Sequence, residues 1–302
     1  MSATASKNKP APKSKSAPKS KRRGSAVRGR SARRGRSSSF GPLLIGGVVL
    51  IVAAMVVIFF VSETDDADVA GATPGKVDEI TTVPPATLET VGIAAQPRNV
   101  TALPAGTPTV EEGGKPVVLY YGAEFCPFCA VQRWPATIAL SRFGTFAGLE
   151  ASASAPPPEI LPNTPTVTYS GSTFTSDYIT LSTVETATRT RNPLETPTDL
   201  QRELFDTYNV EAVTGSAGAI PFMMIGNRYA WAGSQYDPGV LAGRNFDEIV
   251  DGIRDPTTEL SREVGSAANY LTAMICELTG GQPADVCSTP LIAQAQAALP
   301  GA

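Results

Sequence analysis

The chain has no histidine among its 302 residues. This absence excludes serine–histidine–aspartate hydrolysis, cysteine–histidine proteolysis, histidine-ligated metal sites and histidine as a general base. The sequence also contains neither G-x-G-x-x-G nor G-x-x-x-x-G-K-[ST], the usual motifs for dinucleotides and nucleotides. We expect no metal and no bound organic cofactor. Any chemistry must then depend on other groups, and the chain has four cysteines.

Acidic residues are missing from residues 1–42, which carry 13 of the 25 Lys and Arg residues. The remainder has 12 basic against 28 acidic residues, a net charge of −16. We predict that residues 1–42 form a disordered cytosolic tail, because they have too little apolar content to build a core. The tail could contact anionic lipid or nucleic acid. A topology signal explains its charge more simply, and we expect no specific nucleic acid partner.

Charged residues are also absent from residues 43–61, an apolar run of 19 residues. A helix of this length covers roughly 28 Å, about one bilayer core. We predict a single-pass transmembrane helix in the cell membrane, with the N-terminus in the cytosol and the C-terminal domain extracytoplasmic. A cleaved signal peptide is the alternative. It is disfavoured because the A-x-A site at residues 70–72 lies well beyond the run, which is longer than a usual signal-peptide core.

The remainder of the chain divides into three predicted parts. Residues 62–76 are acidic and contain Ala and Gly, which is typical of a linker. Residues 77–295 are predicted to form the folded domain, and residues 296–302 a short tail. Within the domain, a short helix is expected after Pro84-Pro85, with Gly92 ending it.

Two of the cysteines form a C-x-x-C motif, Cys126 and Cys129. The preceding VVLYY run predicts a buried strand, and the pattern after Cys126 becomes helical. Such a motif can be a redox-active dithiol, half of a zinc site or an accidental pair in a core. At a helix N-terminus, unpaired N–H groups would stabilise the Cys126 thiolate. We expect Cys126 to be the exposed attacking thiol and Cys129 the buried resolving thiol, while Pro135 should kink the helix.

A second informative segment is residues 218–233, GAIPFMMIGNRYAWAG. Ile220-Pro221 precedes the apolar run FMMI, and Gly226-Asn227 predicts a hairpin turn before the return strand. A proline that opens a strand indicates a bend there, and a cis peptide bond is one way to make it.

The order of these features resembles the thioredoxin fold: a strand, C-P-x-C at a helix start, and later Ile-Pro before a hairpin. The string YYGAEFCPFCAVQRW and the later IPFMMIGNRY are also similar to a narrower thioredoxin-like family catalogued as a domain of unknown function. The resemblance implies an α/β fold with a thioredoxin-like central sheet flanked by helices. It makes Cys126 and Cys129 the catalytic dithiol and Pro221 the cis-proline. Pro221, Ile220 and Phe128 would then contact a substrate polypeptide added as a strand.

The sequence departs from this pattern beside the cysteines. Phe125 stands where thioredoxins usually have Trp, and Pro127-Phe128 lies between the two cysteines. Strongly oxidising relatives often have His at the position of Phe128, which cannot donate a hydrogen bond to a thiolate. We therefore expect a milder oxidant, with a potential within roughly −270 to −120 mV.

The middle and C-terminal parts are larger than a minimal thioredoxin. Residues 151–165 are rich in Pro and Ser and predict a loop, whereas residues 178–184 are the candidate for a strand of the central sheet. Residues 198–209 predict a helix. We expect this enlargement to cover a sheet edge, with substrate binding as the alternative. Later helices are predicted from a capping box that begins at Asn245 and from Asp255-Pro256, which we expect to cap the extra C-terminal helix.

The other two cysteines, Cys276 and Cys287, are predicted to form a structural disulfide, because an even cysteine count outside the cytosol favours pairing. A loop of this size would contribute on the order of 2–3 kcal/mol. Two separate buried thiols, a zinc site built from all four cysteines, or electron transfer between the two pairs are the alternatives.

Two functions remain open. The first is a membrane-anchored extracytoplasmic thiol–disulfide oxidoreductase whose only redox group is the disulfide of Cys126 and Cys129. Its partners would be extracytoplasmic protein thiols and disulfides and an unidentified redox partner. The second is a non-enzymatic scaffold of the cell envelope with a structural C-x-x-C. The direction of electron flow does not follow from these residues.

Overall fold

The computed structural model describes residues 70–94 and 96–301. The predicted tail at residues 1–42, the predicted membrane helix at residues 43–61 and the first part of the predicted linker lie outside the described residues. Within the described ranges, no helix is both long enough and apolar enough to cross a membrane.

The described part is a mixed α/β structure. Its helices are α1 (Lys76–Thr81), α2 (Pro85–Val91), α3 (Pro127–Leu140), α4 (Asp199–Tyr208), α5 (Glu211–Thr214), α6 (Phe246–Arg254), α7 (Glu259–Leu278), α8 (Ala284–Cys287) and α9 (Pro290–Ala297). Its strands are β1 (Thr101–Ala102), β2 (Glu111–Glu112), β3 (Lys115–Gly122), β4 (Thr145–Ala147), β5 (Glu150–Ala153), β6 (Pro165–Thr168), β7 (Thr173–Thr175), β8 (Thr180–Glu185), β9 (Phe222–Ile225) and β10 (Tyr229–Ala232).

The central sheet is mixed and has the order β1-β10-β9-β3, with β2 and β8 also paired to β3. Strand β3 runs parallel to β8 and antiparallel to β9, and the β9–β10 hairpin is antiparallel. The predicted hairpin at Gly226-Asn227 and the predicted strand near residues 178–184 are therefore both present. The strands β5–β6 and β4–β7 form two separate ribbons.

Helices cover both faces of the central sheet. Val118 and Tyr120 of β3 face the larger core, which includes side chains of α3, α6 and α7. Val117 and Leu119 face the opposite way, toward a smaller core that includes Leu204 of α4. Because successive strand residues point to opposite faces, burial on both sides explains why VVLYY is an uninterrupted apolar run.

Helix α7 is the main helix of the larger core and packs against α2, α3, α6 and α9. Its Asn269 donates from Nδ2 to the carbonyl oxygens of Leu88 (2.9 Å) and Gly92 (2.8 Å), which fixes the end of α2. Leu88 lies in the last turn of α2 and Gly92 is its C-cap, so both bonds hold this end of the helix against α7. Helix α2 ends at Gly92 as predicted.

Several sequence predictions need correction. Part of the predicted linker is packed on the domain, because Ala70 is buried and Lys76 forms a 2.5 Å ion pair with Asp251. The predicted loop at residues 151–165 begins with strand β5, which pairs with β6. The predicted tail at residues 296–302 contains the buried Leu299.

The start of α7 is also different from the prediction. Asp255 ends α6 instead of capping α7, and its side chain accepts hydrogen bonds from the backbone N–H and the hydroxyl of Thr257. The N-cap of α7 is Thr258, which accepts from the Ser261 N–H at 2.9 Å. A Thr hydroxyl is an effective cap because it satisfies an otherwise unpaired N–H of the first turn.

Candidate functional site

The C-x-x-C motif lies where β3 leads into α3. Cys126 is the N-cap of α3, and its Sγ accepts a hydrogen bond from the Cys129 N–H at 3.4 Å. Pro127 occupies the first helical turn, where its missing N–H breaks no helical hydrogen bond. The helix start therefore agrees with the sequence prediction, and α3 continues through Pro135 to Leu140.

The exposure of the two cysteines differs from the prediction. Cys129 is fully buried, as expected, but Cys126 is only 5% exposed. The backbone of the segment before β9 lies against Cys126, whose Sγ is 3.5 Å from the Ile220 carbonyl oxygen. The Cys126 side chain is therefore almost completely covered.

The predicted substrate-contact residues lie in the same region. The Ile220-Pro221 peptide bond is cis, and the Pro221 carbonyl oxygen accepts from the Gly233 N–H at 2.8 Å. Through the Ile220 carbonyl, this bend directly contacts Cys126. Ile220 and Phe128 are both half-buried. The structure thus brings the dithiol and the Ile220-Pro221 bend together.

The two thiols have opposite electrostatic environments. A hydrogen bond with the Cys129 side chain lowers the pKa of Cys126, helped by the Cys129 N–H and the charge of Arg133, against the opposing effect of burial. Burial raises the pKa of Cys129 well above its ordinary value. At neutral pH, Cys126 is thus the better nucleophile and Cys129 keeps its proton.

A buried ion pair lies beneath the dithiol. Arg133 of α3 and Glu185 at the end of β8 are both fully buried. Arg133 Nε donates to Glu185 Oε1 at 2.8 Å, and Nη2 donates to Oε2 at 2.7 Å and to the Ala123 carbonyl oxygen at 3.2 Å. The Arg133 guanidinium also lies over the Tyr120 ring, 5.7 Å from its centroid. This two-bond geometry is the strong form of an arginine–carboxylate pair.

The charges of Arg133 and Glu185 affect the pKa values of the groups around them. Burial raises the pKa of Glu185 to about 6, although the positive charge of Arg133 opposes the shift. The charge of Arg133 lowers the pKa of both cysteines, so it favours the thiolate form of each. Glu185 acts in the opposite direction on Cys129.

The sequence prediction did not assign this pair. Arg133 lies 52 residues before Glu185, so no local spacing connects them. A usable signal was the position of Arg133 itself, because it lies between the apolar residues Val131 and Trp134 of a helix that is buried almost all round. Charged side chains are almost never fully buried without a partner.

Polar contacts attach α3 to the segment after β10. Gln132 donates from Nε2 to Gln235 Oε1 at 3.0 Å and accepts from the Gln235 N–H at 2.9 Å. The Tyr236 hydroxyl donates to the Val131 carbonyl oxygen at 2.9 Å. All these groups are buried, so the contacts restrict movement of the dithiol helix relative to the hairpin that follows Pro221.

The middle segment covers another side of the site. Trp134 Nε1 donates to the Pro165 carbonyl oxygen at 3.0 Å, so the β5–β6 ribbon packs on α3. The predicted cover of a sheet edge comes from the end of the enlargement, where the Glu195 N–H donates to the Glu185 carbonyl oxygen at 3.0 Å. The Arg191 guanidinium lies over the Phe125 ring at 4.0 Å and pairs with Glu159 at 2.6 Å. The enlargement therefore contacts the residue next to Cys126.

The second cysteine pair is a disulfide between Cys276, near the end of α7, and Cys287, with a Cα–Cα distance of 5.5 Å. Only Cys126 and Cys129 are left as free thiols in the described part of the chain. The four cysteines therefore do not form one tetrathiolate site. Across residues 70–94 and 96–301, no group of three or more His, Cys, Asp or Glu residues is arranged to hold a metal ion.

The fold and the site define a mixed α/β protein with a buried dithiol at the start of a helix. The comparison with protein families identifies the chain more closely. Residues 107–277, more than half of the chain, match the family described as Domain of unknown function (DUF929), and the chain belongs to this family. No curated protein and no solved structure matches the chain.

Proposed function

We propose that this protein is a thioredoxin-like thiol–disulfide oxidoreductase that acts on protein disulfides through Cys126 and Cys129. The observation that carries the proposal is the asymmetry of the two thiols beside the Ile220-Pro221 bend. Cys126 caps a helix and has a lowered pKa, whereas Cys129 is buried one turn further and has a raised pKa. This division suits an attacking thiol followed by a resolving thiol.

The reaction has two exchange steps. The Cys126 thiolate attacks a substrate disulfide, forms a mixed disulfide and releases the first substrate sulfur as a thiolate. The Cys129 thiolate then attacks Cys126 Sγ and releases the second substrate sulfur, leaving a Cys126–Cys129 disulfide. The two protons lost by the cysteines end on the two substrate thiols. The reverse sequence oxidises a substrate dithiol.

Substrate binding is proposed at the edge beside Pro221. An extended polypeptide segment there would add main-chain hydrogen bonds, with Ile220 and Phe128 as apolar contacts. We place the domain outside the cytoplasm, anchored by the apolar run at residues 43–61, because this run and its basic flank have the pattern of a membrane anchor. Its partners would be extracytoplasmic protein thiols and disulfides and a separate redox partner.

The test uses the full chain in its native membrane. Cys129→Ala leaves Cys126 without a resolving thiol, so we expect mixed disulfides that disappear on reduction. Cys126→Ala/Cys129→Ala is the matched control and should form none. Absence of adducts, together with a Cys126 alkylation rate that shows no pKa below that of a free thiol, would contradict the proposal.

One observation favours the scaffold alternative. Cys126 is 5% exposed, which is little for a thiol that must meet a protein disulfide. A scaffold role predicts that the purified protein neither oxidises nor reduces a model disulfide. It also predicts that Cys126→Ala preserves partner binding. Turnover that is lost in Cys126→Ala would exclude this role.

The redox potential of the Cys126–Cys129 pair and its redox state in cells would indicate the direction of electron flow. We expect a potential within roughly −270 to −120 mV for the Cys126–Cys129 pair. A pair that is mostly disulfide in cells indicates an oxidase, and one that is mostly dithiol indicates a reductase or isomerase.

A further inference from the structure

Arg133 has one nitrogen that its buried environment leaves without a partner. The Nε and Nη2 atoms donate to Glu185, and Nη2 also donates to the Ala123 carbonyl oxygen. The third nitrogen, Nη1, is buried and has no hydrogen-bond partner among the described residues. An unpaired donor of a buried guanidinium costs free energy, so it requires an explanation, and a role in catalysis is one of them.

The sequence position of Arg133 brings it to the side of the helix that carries Cys129. The two residues are four positions apart on α3, and side chains with this spacing are neighbours on one face of a helix. Both are fully buried. The guanidinium is fixed by the Glu185 carboxylate and by the Ala123 carbonyl, so its charge has a defined position near the resolving thiol.

The resolving step requires a negative charge on a buried sulfur. Cys129 must become a thiolate inside the protein, where an uncompensated negative charge is costly. The ionisable groups whose charges interact with that of Cys129 include Cys126, Tyr120 of β3, Arg133 and Glu185 of β8. Arg133 is the only cation among these groups.

We propose that Arg133, one helical turn from Cys129 and equally buried, supplies the positive charge that stabilises the Cys129 thiolate during resolution. This inference rests on the proposed oxidoreductase function and assigns a role within it. Cys129 loses its proton and attacks Cys126 Sγ. The Cys126–substrate disulfide bond breaks, and the leaving substrate thiolate takes up one proton. No further reactant is required.

Glu185 has a separate part in this arrangement. Both of its carboxylate oxygens already accept hydrogen bonds from Arg133. Its negative charge therefore partly neutralises Arg133 and limits how strongly the guanidinium favours a thiolate. Removing Glu185 alone and removing both partners should then shift the pKa of Cys129 in opposite directions. A purely structural role for the pair does not produce opposite signs.

The first experiment measures the pKa of Cys129 directly. The full chain is labelled with ¹³Cβ-cysteine and purified in detergent, in a Cys126→Ser background so that Cys129 is the only titrating thiol. Arg133→Gln/Glu185→Gln should raise the pKa of Cys129 by about one unit or more, and Glu185→Gln alone should lower it. Arg133→Lys keeps the charge and should give a pKa closer to the wild-type value than the double variant does.

The second experiment measures resolution. With Cys126 present, 5,5′-dithiobis(2-nitrobenzoate) forms a mixed disulfide on Cys126 and releases one thionitrobenzoate. Attack by Cys129 releases the second. At neutral pH, the double variant should release the second thionitrobenzoate about three- to fourfold more slowly for each unit by which the pKa of Cys129 rises. The thiolate fraction falls about tenfold per unit, while the nucleophilicity of the remaining thiolate rises about threefold. The first release should change less.

The outcomes separate this inference from the function on which it rests. If no mixed disulfide forms on wild-type Cys126, the proposed function fails. If it forms and both sets of variants shift the pKa of Cys129 in the same direction, or not at all, the role of Arg133 is refuted while the function stands. If this double variant does not fold, Arg133→Met/Glu185→Leu takes its place, because it removes both charges without leaving a buried carboxylate. A raised pKa of Cys129 then supports the role, and an unchanged or lowered pKa refutes it.

Discussion

Replacing Arg133 with methionine should destabilise the domain strongly. Arg133 and Glu185 are both fully buried and share two hydrogen bonds of 2.8 and 2.7 Å. Methionine fills much of the space of the arginine but leaves the carboxylate of Glu185 buried without a cation. Removing one partner of a buried ion pair costs about 3–5 kcal/mol of unfolding free energy. We expect a loss in this range for Arg133→Met at neutral pH.

The loss of unfolding free energy in Arg133→Met should become larger as the pH rises. In the wild-type protein, burial already raises the pKa of Glu185 from 4.5 to about 6. A carboxyl whose pKa is higher in the folded state than in the unfolded state binds more protons when folded, so its contribution to stability falls as the pH rises through this window. A shift from 4.5 to about 6 corresponds to about 2 kcal/mol. Without Arg133, the pKa of Glu185 rises further, so the pH range over which Glu185 reduces stability extends to higher pH.

The assay is urea unfolding at a series of pH values, for the wild-type chain, Arg133→Met and Glu185→Gln. Taking differences between variants removes the contributions of the other carboxylates. Arg133→Met/Glu185→Leu is the matched rescue, because replacing both charges with apolar groups of similar volume is often neutral or stabilising. The reasoning is refuted if Arg133→Met loses no more stability at neutral than at acidic pH, or if the double variant is as unstable as Arg133→Met.

Two further predictions concern stability away from the dithiol. Replacing Cys276 and Cys287 together with alanine should lower the free energy of unfolding by about 3 kcal/mol, because the disulfide closes a loop with a sequence separation of 11. Urea unfolding without reductant measures this, and an unchanged midpoint would contradict it. Gly226→Ala should cost about 2 kcal/mol, since Gly226 has φ of 53° and an added Cβ would lie 2.1 Å from Leu278 Cδ1. Gly215→Ala is the control, with φ of 73° and open space at the Cβ position. Equal losses for both glycines would show that the contact with Leu278 is unimportant.

The elements that local signals determine could be predicted from the sequence. The capping box at Asn245 and Glu248 is present with both hydrogen bonds, and it begins α6. The start of α3 at Pro127 follows from a strand, a turn and a change to helical periodicity. In these cases, residues within a few positions of each other determine the backbone, so spacing along the chain is sufficient.

Features that depend on distant contacts could not be predicted in this way. Strand β5 has the sequence EASA, in which only Ala alternates with polar residues over four positions, and it is a strand because β6 pairs with it. The low exposure of Cys126 depends on the Ile220 carbonyl, which is 94 residues away. The pairing of Arg133 with Glu185 likewise joins a helix and a strand end that only the fold brings together.

The packing of the terminal segments extends the hydrophobic core beyond the region that matches the family. The family match covers residues 107–277, but the core continues on both sides of it. Before it lie the buried Ile80 and Leu88, and after it lie Ile292 and Leu299. A recombinant fragment trimmed to the matched region would lack the Cys287 half of the disulfide and expose the face of α7 that α9 covers. Biochemical work on the dithiol should therefore use fragments that begin at or before residue 70 and extend through residue 301.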